Sequence, residues 1–497
     1  MKKQAIIFFF IFFVSSHFLS GQNVSFNTNC QQAYKQILAL HLDSAGSLLS
    51  QETKSDTGNA YVPYLENYIS FVSLFVSQDR ALYNELKSSK SKYFNEVEKL
   101  DDTCRYKKWM LGNMHLQWAV LKIMFGDYIS AAFEVNSAYH LIEDNTREFP
   151  DFQLNNLSLS VLKIIVGLVP QQYNWFLGLL SMKGDIEKGK KQLDGFLSVT
   201  KSDSLYAPYY YEALFYSAFI EMNIHPDQKK LSYFINEAES INNDVTLITF
   251  LQINLLMRTG ENQKALDLIR SMESANQNMY PFFYINYLHG ECLLRARRFE
   301  ESIDELDLFT TYFRGENYIK DAWRKKAWAA FMLQDTLLYH EYMEAVILKG
   351  APKIDIDQEA LTEAENEQLL GKDLLLSRIL FDGGYYSDAL QILNETDTSN
   401  FSDEEKVSFK YRVARVYHQM KYIEKAKKYY KTTIDFSEVT DNYYAANAAL
   451  KLGEIYEAEG NLSSAKDAYA TCLNMDYKQY RNSIHSRARE GLKRVSE

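Results

Sequence analysis

The sequence predicts an all-α solenoid of about ten stacked helix hairpins, and three observations predict it. Matching residues recur 39 positions apart near the C-terminus, Ala414 with Gly453 and Ala426 with Ala465. Only seven prolines interrupt 497 residues, so long helices can run unbroken. No strand-like alternation is sustained over several segments, whereas helical spacing is.

The hairpin nearest the C-terminus shows the packing plan. Leu452-Gly453 and Tyr456 stand on its first helix, Ala465 and Tyr469 on its second, and Gly460-Asn461 forms the turn. The small residue on the first helix admits its neighbour, the alanine sits at the crossing, and the aromatics fill the remaining volume. The preceding hairpin repeats this with Val413-Ala414, Tyr417, Ala426 and Tyr430. The spacing resembles the tetratricopeptide repeat superfamily, in its secreted bacterial type. That resemblance implies a right-handed superhelical solenoid, with a groove that takes an extended or helical segment of another protein.

Upstream the same plan recurs, with crossing residues at Ala45, Ala131, Gly189, Ala265, Ser302 and Ala389. Weaker hairpins fill the gaps around Phe71 and Tyr83, Phe219 and Leu231, and Ala327 and Tyr339. Residues 22–497 therefore read as one solenoid, with an open subdivision near 147–170 and a charged insertion over 350–368. Gly167-Leu168-Val169-Pro170, then Trp175 to Leu180, Lys183-Gly184-Asp185 and Gly189 are similar to the eukaryotic inclusion-body-clearance family of tetratricopeptide proteins.

Residues 1–21 predict export. Lys2 and Lys3 precede an apolar run from Ala5 to Val14, followed by a smaller, more polar stretch ending at Gly21, which is the layout of a signal peptide. The expected location is the periplasm or cell envelope, and an uncleaved N-terminal anchor is the alternative. Gln22 stands where a lipoprotein would carry its acylated Cys. No later segment has membrane-spanning length. The four cysteines lack metal-ligand spacing, and only Cys30 with Cys104 offers a conceivable bridge.

A formal charge of -11 without a long basic run excludes phosphate-backbone tracking, so no nucleic acid is expected. Gly184 to Lys191 nearly spells a phosphate loop, but Lys191 replaces the magnesium-binding hydroxyl and no strand precedes it. His340-Glu341 begins like a zinc-protease pair, yet Glu344 stands where the second His belongs. Asp355-Ile-Asp357 begins like a calcium loop, but Ala360 replaces its turn glycine. Catalysis, cofactors and metals are accordingly not expected.

The resulting expectation is a protein-protein interaction scaffold, with a glycan- or nutrient-binding surface protein as the alternative, motivated by 36 Tyr and 30 Phe. Carrying the groove face over from the resemblance selects Tyr284, Tyr287, Arg324, Trp328, Tyr411 and Arg415, with Lys451 nearby. Tyr411 and Arg415, four apart on one helix, share a face and with Lys451 would make a basic, aromatic-lined patch. Aromatics and arginine are interface-prone. The expected occupant is a protein or peptide segment bearing acidic or aromatic residues.

Overall fold

The computed structural model describes residues 23–169, 182–224, 226–241, 245–275, 278–366, 371–436, 443–477 and 480–496. Residues 1–21, which carry the export reading, and Phe176, Leu177 and Leu180 of one expected hairpin lie outside them. The described elements are helices, and among the described residues the β-type pairing is an isolated bridge between Asn23 and Asn59. The chain divides into two compact units, one of residues 1–75 and 81–213, the other of 76–80 and 214–497. Residues 147–169, where the sequence leaves a subdivision open, group with the first unit.

In the first unit, Thr28–Leu38 pairs with Leu42–Ser55, Arg105–Met124 with Tyr128–Glu148, and Leu154–Gly167 with Ile186–Ser202. The crossing residues Ala45 and Ala131 are buried, as the sequence predicts. At Gly189 a Cβ would lie 2.5 Å from Ile164 Cγ1, so only glycine permits that approach. The phosphate-loop look-alike is a helix start, where Asp185 accepts the Lys188 backbone N–H at 2.9 Å. Much of the aromatic excess is spent in this core. Phe26 stacks on Tyr61 and Tyr209 at 4.6 and 5.3 Å, and the Tyr61 and Tyr209 hydroxyls meet at 2.8 Å.

A charge cluster holds the middle of the unit. Buried Glu134 pairs with Lys90, with Lys122 at 2.6 Å and with His115 at 2.5 Å. Burial would raise its carboxyl, but those three partners outweigh it and hold the pKa at about 2. A folded-state pKa below the unfolded value contributes stability above the unfolded pKa, and that stability is lost as pH falls through the folded one. Glu134→Gln is therefore expected to cost up to about 3 kcal/mol at pH 7, with the gap from wild type closing between about pH 4.5 and 2. Urea unfolding across that range checks it, and a gap independent of pH would refute the assignment.

The second unit stacks Thr246–Thr259 on Asn262–Ala275, Tyr284–Arg295 on Phe299–Tyr312, Ile319–Met332 on Thr336–Leu348, and Lys372–Asp382 on Tyr386–Glu395. The hairpins Asp403–Gln419 with Ile423–Ile434 and Tyr444–Ala458 with Leu462–Asn474 follow, and Arg481–Arg494 covers the end. Ala265, Ser302, Ala389, Ala426 and Ala465 are all buried at their crossings. Where serine replaces alanine, its hydroxyl donates to the Gly290 carbonyl at 2.7 Å. A Cβ on Gly453 would lie 2.6 Å from Tyr469 Cε1, the ring that fills this crossing.

The charged insertion proves to contain a helix, Asp355–Glu365, that buries Ala360 and Ala364 against Ile319–Met332. Asp357 explains its placement. Its buried carboxylate accepts the Tyr318 and Asp321 backbone N–H groups at 2.7 and 3.0 Å, capping the start of the neighbouring helix. Burial pushes that carboxyl up to about 6.

The second unit also curls back on itself. The turn at Gly260 meets the turn at Gly384, and a Cβ on Gly384 would lie 1.9 Å from the Gly260 carbonyl oxygen. Asn262 donates to the Tyr385 hydroxyl at 3.2 Å, and Arg297 lies 3.3 Å from Asp388 across the same seam. The four cysteines are free, and no helix among the described residues is long and apolar enough to cross a membrane.

Candidate concave interface

Because the second unit curls, the inner faces of its helices converge on one open cavity of about 1460 Å³, lined from Met222 to Arg494. An adjoining recess of about 330 Å³ shares Glu291, Arg295, Ile356 and Asp382 with it. The helix Tyr284–Arg295 shows how local sequence builds the wall. Tyr284, Tyr287, Leu288, Glu291 and Arg295 fall at spacings of three and four, forming one stripe along the cavity.

Four of the expected residues, Tyr284, Tyr287, Arg415 and Lys451, line this cavity, and Arg324 and Trp328 line the recess. Tyr411 does not reach the lining. It is 2% exposed, accepts from Asn447 Nδ2 at 2.8 Å, and lies behind Arg415. Arg324 is committed to the fold, since it is buried and paired with Asp321, with its guanidinium 4.9 Å from the Trp328 ring centre. Trp328 donates its indole N–H to Glu363 at 2.7 Å. Arg415 sits 3.9 Å from the Phe381 ring centre and 3.9 Å from the Asp382 carboxylate, so it too carries some packing.

The lining is of mixed charge, where the sequence led us to expect a basic patch. Arg258, Arg295, Arg415, Lys451, Arg487 and Arg494 face Asp227, Glu291, Asp382, Glu454, Glu457 and Glu490. Several of these pair internally, Lys451 with Glu454 at 2.9 Å, Arg487 with Glu454 at 2.5 Å, and Arg494 with Glu457 at 2.7 Å. Burial would raise Glu454, but Lys451 and Arg487 outweigh it and hold its carboxyl below the usual range. Burial, then the nearby Lys451, pushes His418 down to about 4, so it is neutral at pH 7.

Three guanidinium groups keep unused donors. Arg258 is exposed on the lining, and among the described residues it has neither an ion-pair nor a hydrogen-bond partner. Arg378 lies 4.8 Å from the Trp328 ring centre, with no ion-pair partner within 4 Å among the described residues. Arg295 gives one nitrogen to Glu291 at 2.7 Å, while its buried Nη1 has no acceptor. Sequence reasoning missed all three. Extending the Tyr284/Tyr287 stripe by two turns would have found Arg295, whereas Arg258 and Arg378 carry no such signal.

Residues 407–438 and 446–479 match the tetratricopeptide repeat model, the two hairpins from which the packing plan was read. No curated protein sequence matches the chain. Among solved structures, the chain is similar to the P58(IPK) TPR domain at 14% identity, covering 78% of this chain and 97% of that one, with a TM-score of 0.22. It is similar to the human IFIT1 dimer with PPP-AAAA at 10% identity, covering 97% of this chain and 96% of that one, with a TM-score of 0.33. It is likewise similar to yeast Tom70 at 11% identity, covering 92% and 96%, with a TM-score of 0.24.

Proposed function

We propose that this chain of tetratricopeptide repeats is a non-catalytic interaction scaffold whose second unit takes a partner's polypeptide segment into its concave cavity. The observation that carries the reading is the buried Nη1 of Arg295 left without an acceptor, with the Arg258 and Arg378 guanidinium groups unpaired among the described residues along the same cavity and its recess. Buried donors without acceptors are costly, and an incoming segment supplies acceptors through its carbonyls and carboxylates. The balanced lining favours a segment of mixed charge with acidic positions near Arg258, over a uniformly acidic one. Many of the aromatic rings are buried in helix packing, which weakens the motive for a glycan-binding reading. Export to the periplasm or envelope is part of the proposal and rests on residues 1–21. Finding a mature N-terminus near Gln22 in the exported fraction would support it, and cytoplasmic protein starting at Met1 would overturn it.

Because Arg415 packs on Phe381, the sharper probe of the cavity is Arg258→Glu, at an exposed and unpaired position. Selection from a displayed random-peptide library is expected to enrich peptides with acidic residues. Their affinity for Arg258→Glu should be at least tenfold weaker, with the melting temperature nearly unchanged. Peptides that bind both proteins equally would place recognition elsewhere, and saturable binding on a glycan array would favour the alternative.

A further inference from the structure

On the second unit, three helices that follow one another in sequence bring Glu273, His289 and Glu305 together. They are 16 residues apart in each step, one from Asn262–Ala275, one from Tyr284–Arg295 and one from Phe299–Tyr312. The ligand-type atoms of all three lie within 4.8 Å of one another. His289 Nδ1 is 3.2 Å from a carboxylate oxygen of Glu273 and 3.2 Å from one of Glu305.

Two features separate this cluster from an ordinary surface group of acids. His289 is only 6% exposed, and neither of its ring nitrogens has a hydrogen-bond partner despite those short distances. The Nδ1 edge of a buried imidazole thus faces two carboxylates at once; burial would lower its pKa, but Glu273 and Glu305 outweigh burial and push it up to about 9, so an ion there has to displace a proton. Moreover, Glu305 is held in place, since its other oxygen accepts from Asn286 Nδ2 at 2.9 Å. Such an orienting contact to a carboxylate is what a metal ligand commonly carries. Ligand atoms around a first-row divalent ion at about 2.1 Å are about 3.0–3.4 Å apart, which matches the two 3.2 Å separations from His289 Nδ1, while all three ligand atoms lie within 4.8 Å.

We propose that Glu273, His289 and Glu305 form a binding site for a divalent first-row metal ion, with zinc the best match for one imidazole and two carboxylates. The site would tie three successive helices together behind the cavity wall. The helix carrying His289 also supplies Leu288 and Glu291 to the cavity, so the ion would stiffen that wall from its outer side. The competing occupant is a proton on His289, shared between the two carboxylates.

The test uses tag-free full-length protein stripped with a chelator and titrated with zinc chloride by calorimetry, with cobalt(II) absorption as a second readout. The expected result is one zinc per chain and a raised melting temperature, with affinity weakened at least about tenfold in His289→Gln and in Glu305→Gln. Should those buried variants fold poorly, Glu273→Gln serves instead, because Glu273 is 41% exposed and its replacement leaves the core intact. No stoichiometric uptake, or uptake equal in wild type and Glu273→Gln, would overturn the site and leave a protonated histidine in its place.

Discussion

Replacing Asp321 by alanine is expected to be among the most destabilising single changes in the second unit, at about 3–5 kcal/mol. Asp321 is fully buried, and its carboxylate pairs with Arg324 and Lys325 and accepts the Tyr287 hydroxyl at 2.6 Å. Burial would raise its pKa, but Lys325 and Arg324 outweigh burial and hold it far below the usual range. Removing the carboxylate leaves Arg324 with only Glu363 at 3.4 Å and Lys325 with only Glu291 at 3.7 Å among the described residues, and the buried Tyr287 hydroxyl without its acceptor. Those are the terms that make one-sided deletion of a buried pair costly, irrespective of what the intact pair contributes. Urea unfolding at pH 7 measures the loss. Adding Lys325→Met to Asp321→Ala should recover part of it, because one stranded charge is then gone. A single variant that unfolds like wild type would show that water reaches this cluster.

The second large effect is expected at Gly384. Its φ of +80° strains any other residue, and a Cβ there would stand 1.9 Å from the Gly260 carbonyl oxygen. Gly384→Ala should cost about 2–5 kcal/mol, from about 1–2 for the left-handed backbone and about 1–3 for the forced separation of the two turns. Gly460 supplies the control. It has φ +76°, yet nothing lies within 4 Å of its would-be Cβ, so Gly460→Ala pays for the backbone alone. A thermal melt of the two variants isolates the close approach. Equal losses would mean that the turns at 260 and 384 separate freely. A larger loss at Gly384, accompanied by weaker peptide capture, would tie closure of the curl to the cavity.

The hairpin packing was legible because it is local. A crossing residue must be small whatever the rest of the chain does, so Ala265, Ala389, Ala426 and Ala465 announce themselves by spacing, and all are buried. The same holds for Gly453, whose missing side chain is filled by Tyr469 from the partner helix of its own hairpin. Tyr284 and Tyr287, selected through the resemblance to the repeat family, do line the cavity.

Contacts that depend on the curl of the repeats were not legible. Arg324 was expected on the groove face, and instead it is buried and paired with Asp321, as is Lys325 one residue on. Tyr411 shares a helix face with Arg415, yet its ring is covered by Tyr444 of the next repeat, with centroids 5.3 Å apart. Asp357 looked like part of a polar insertion and instead caps another helix 36 residues back, at Asp321. The sequence by itself determined which residues cross and which helices pair, because those choices are settled within about 40 residues by side-chain volume. Tertiary structure alone decided which charges are buried, where the turns at Gly260 and Gly384 meet, and which arginines face the cavity. Those depend on small rotations between repeats that accumulate along the solenoid, and no single repeat encodes their sum.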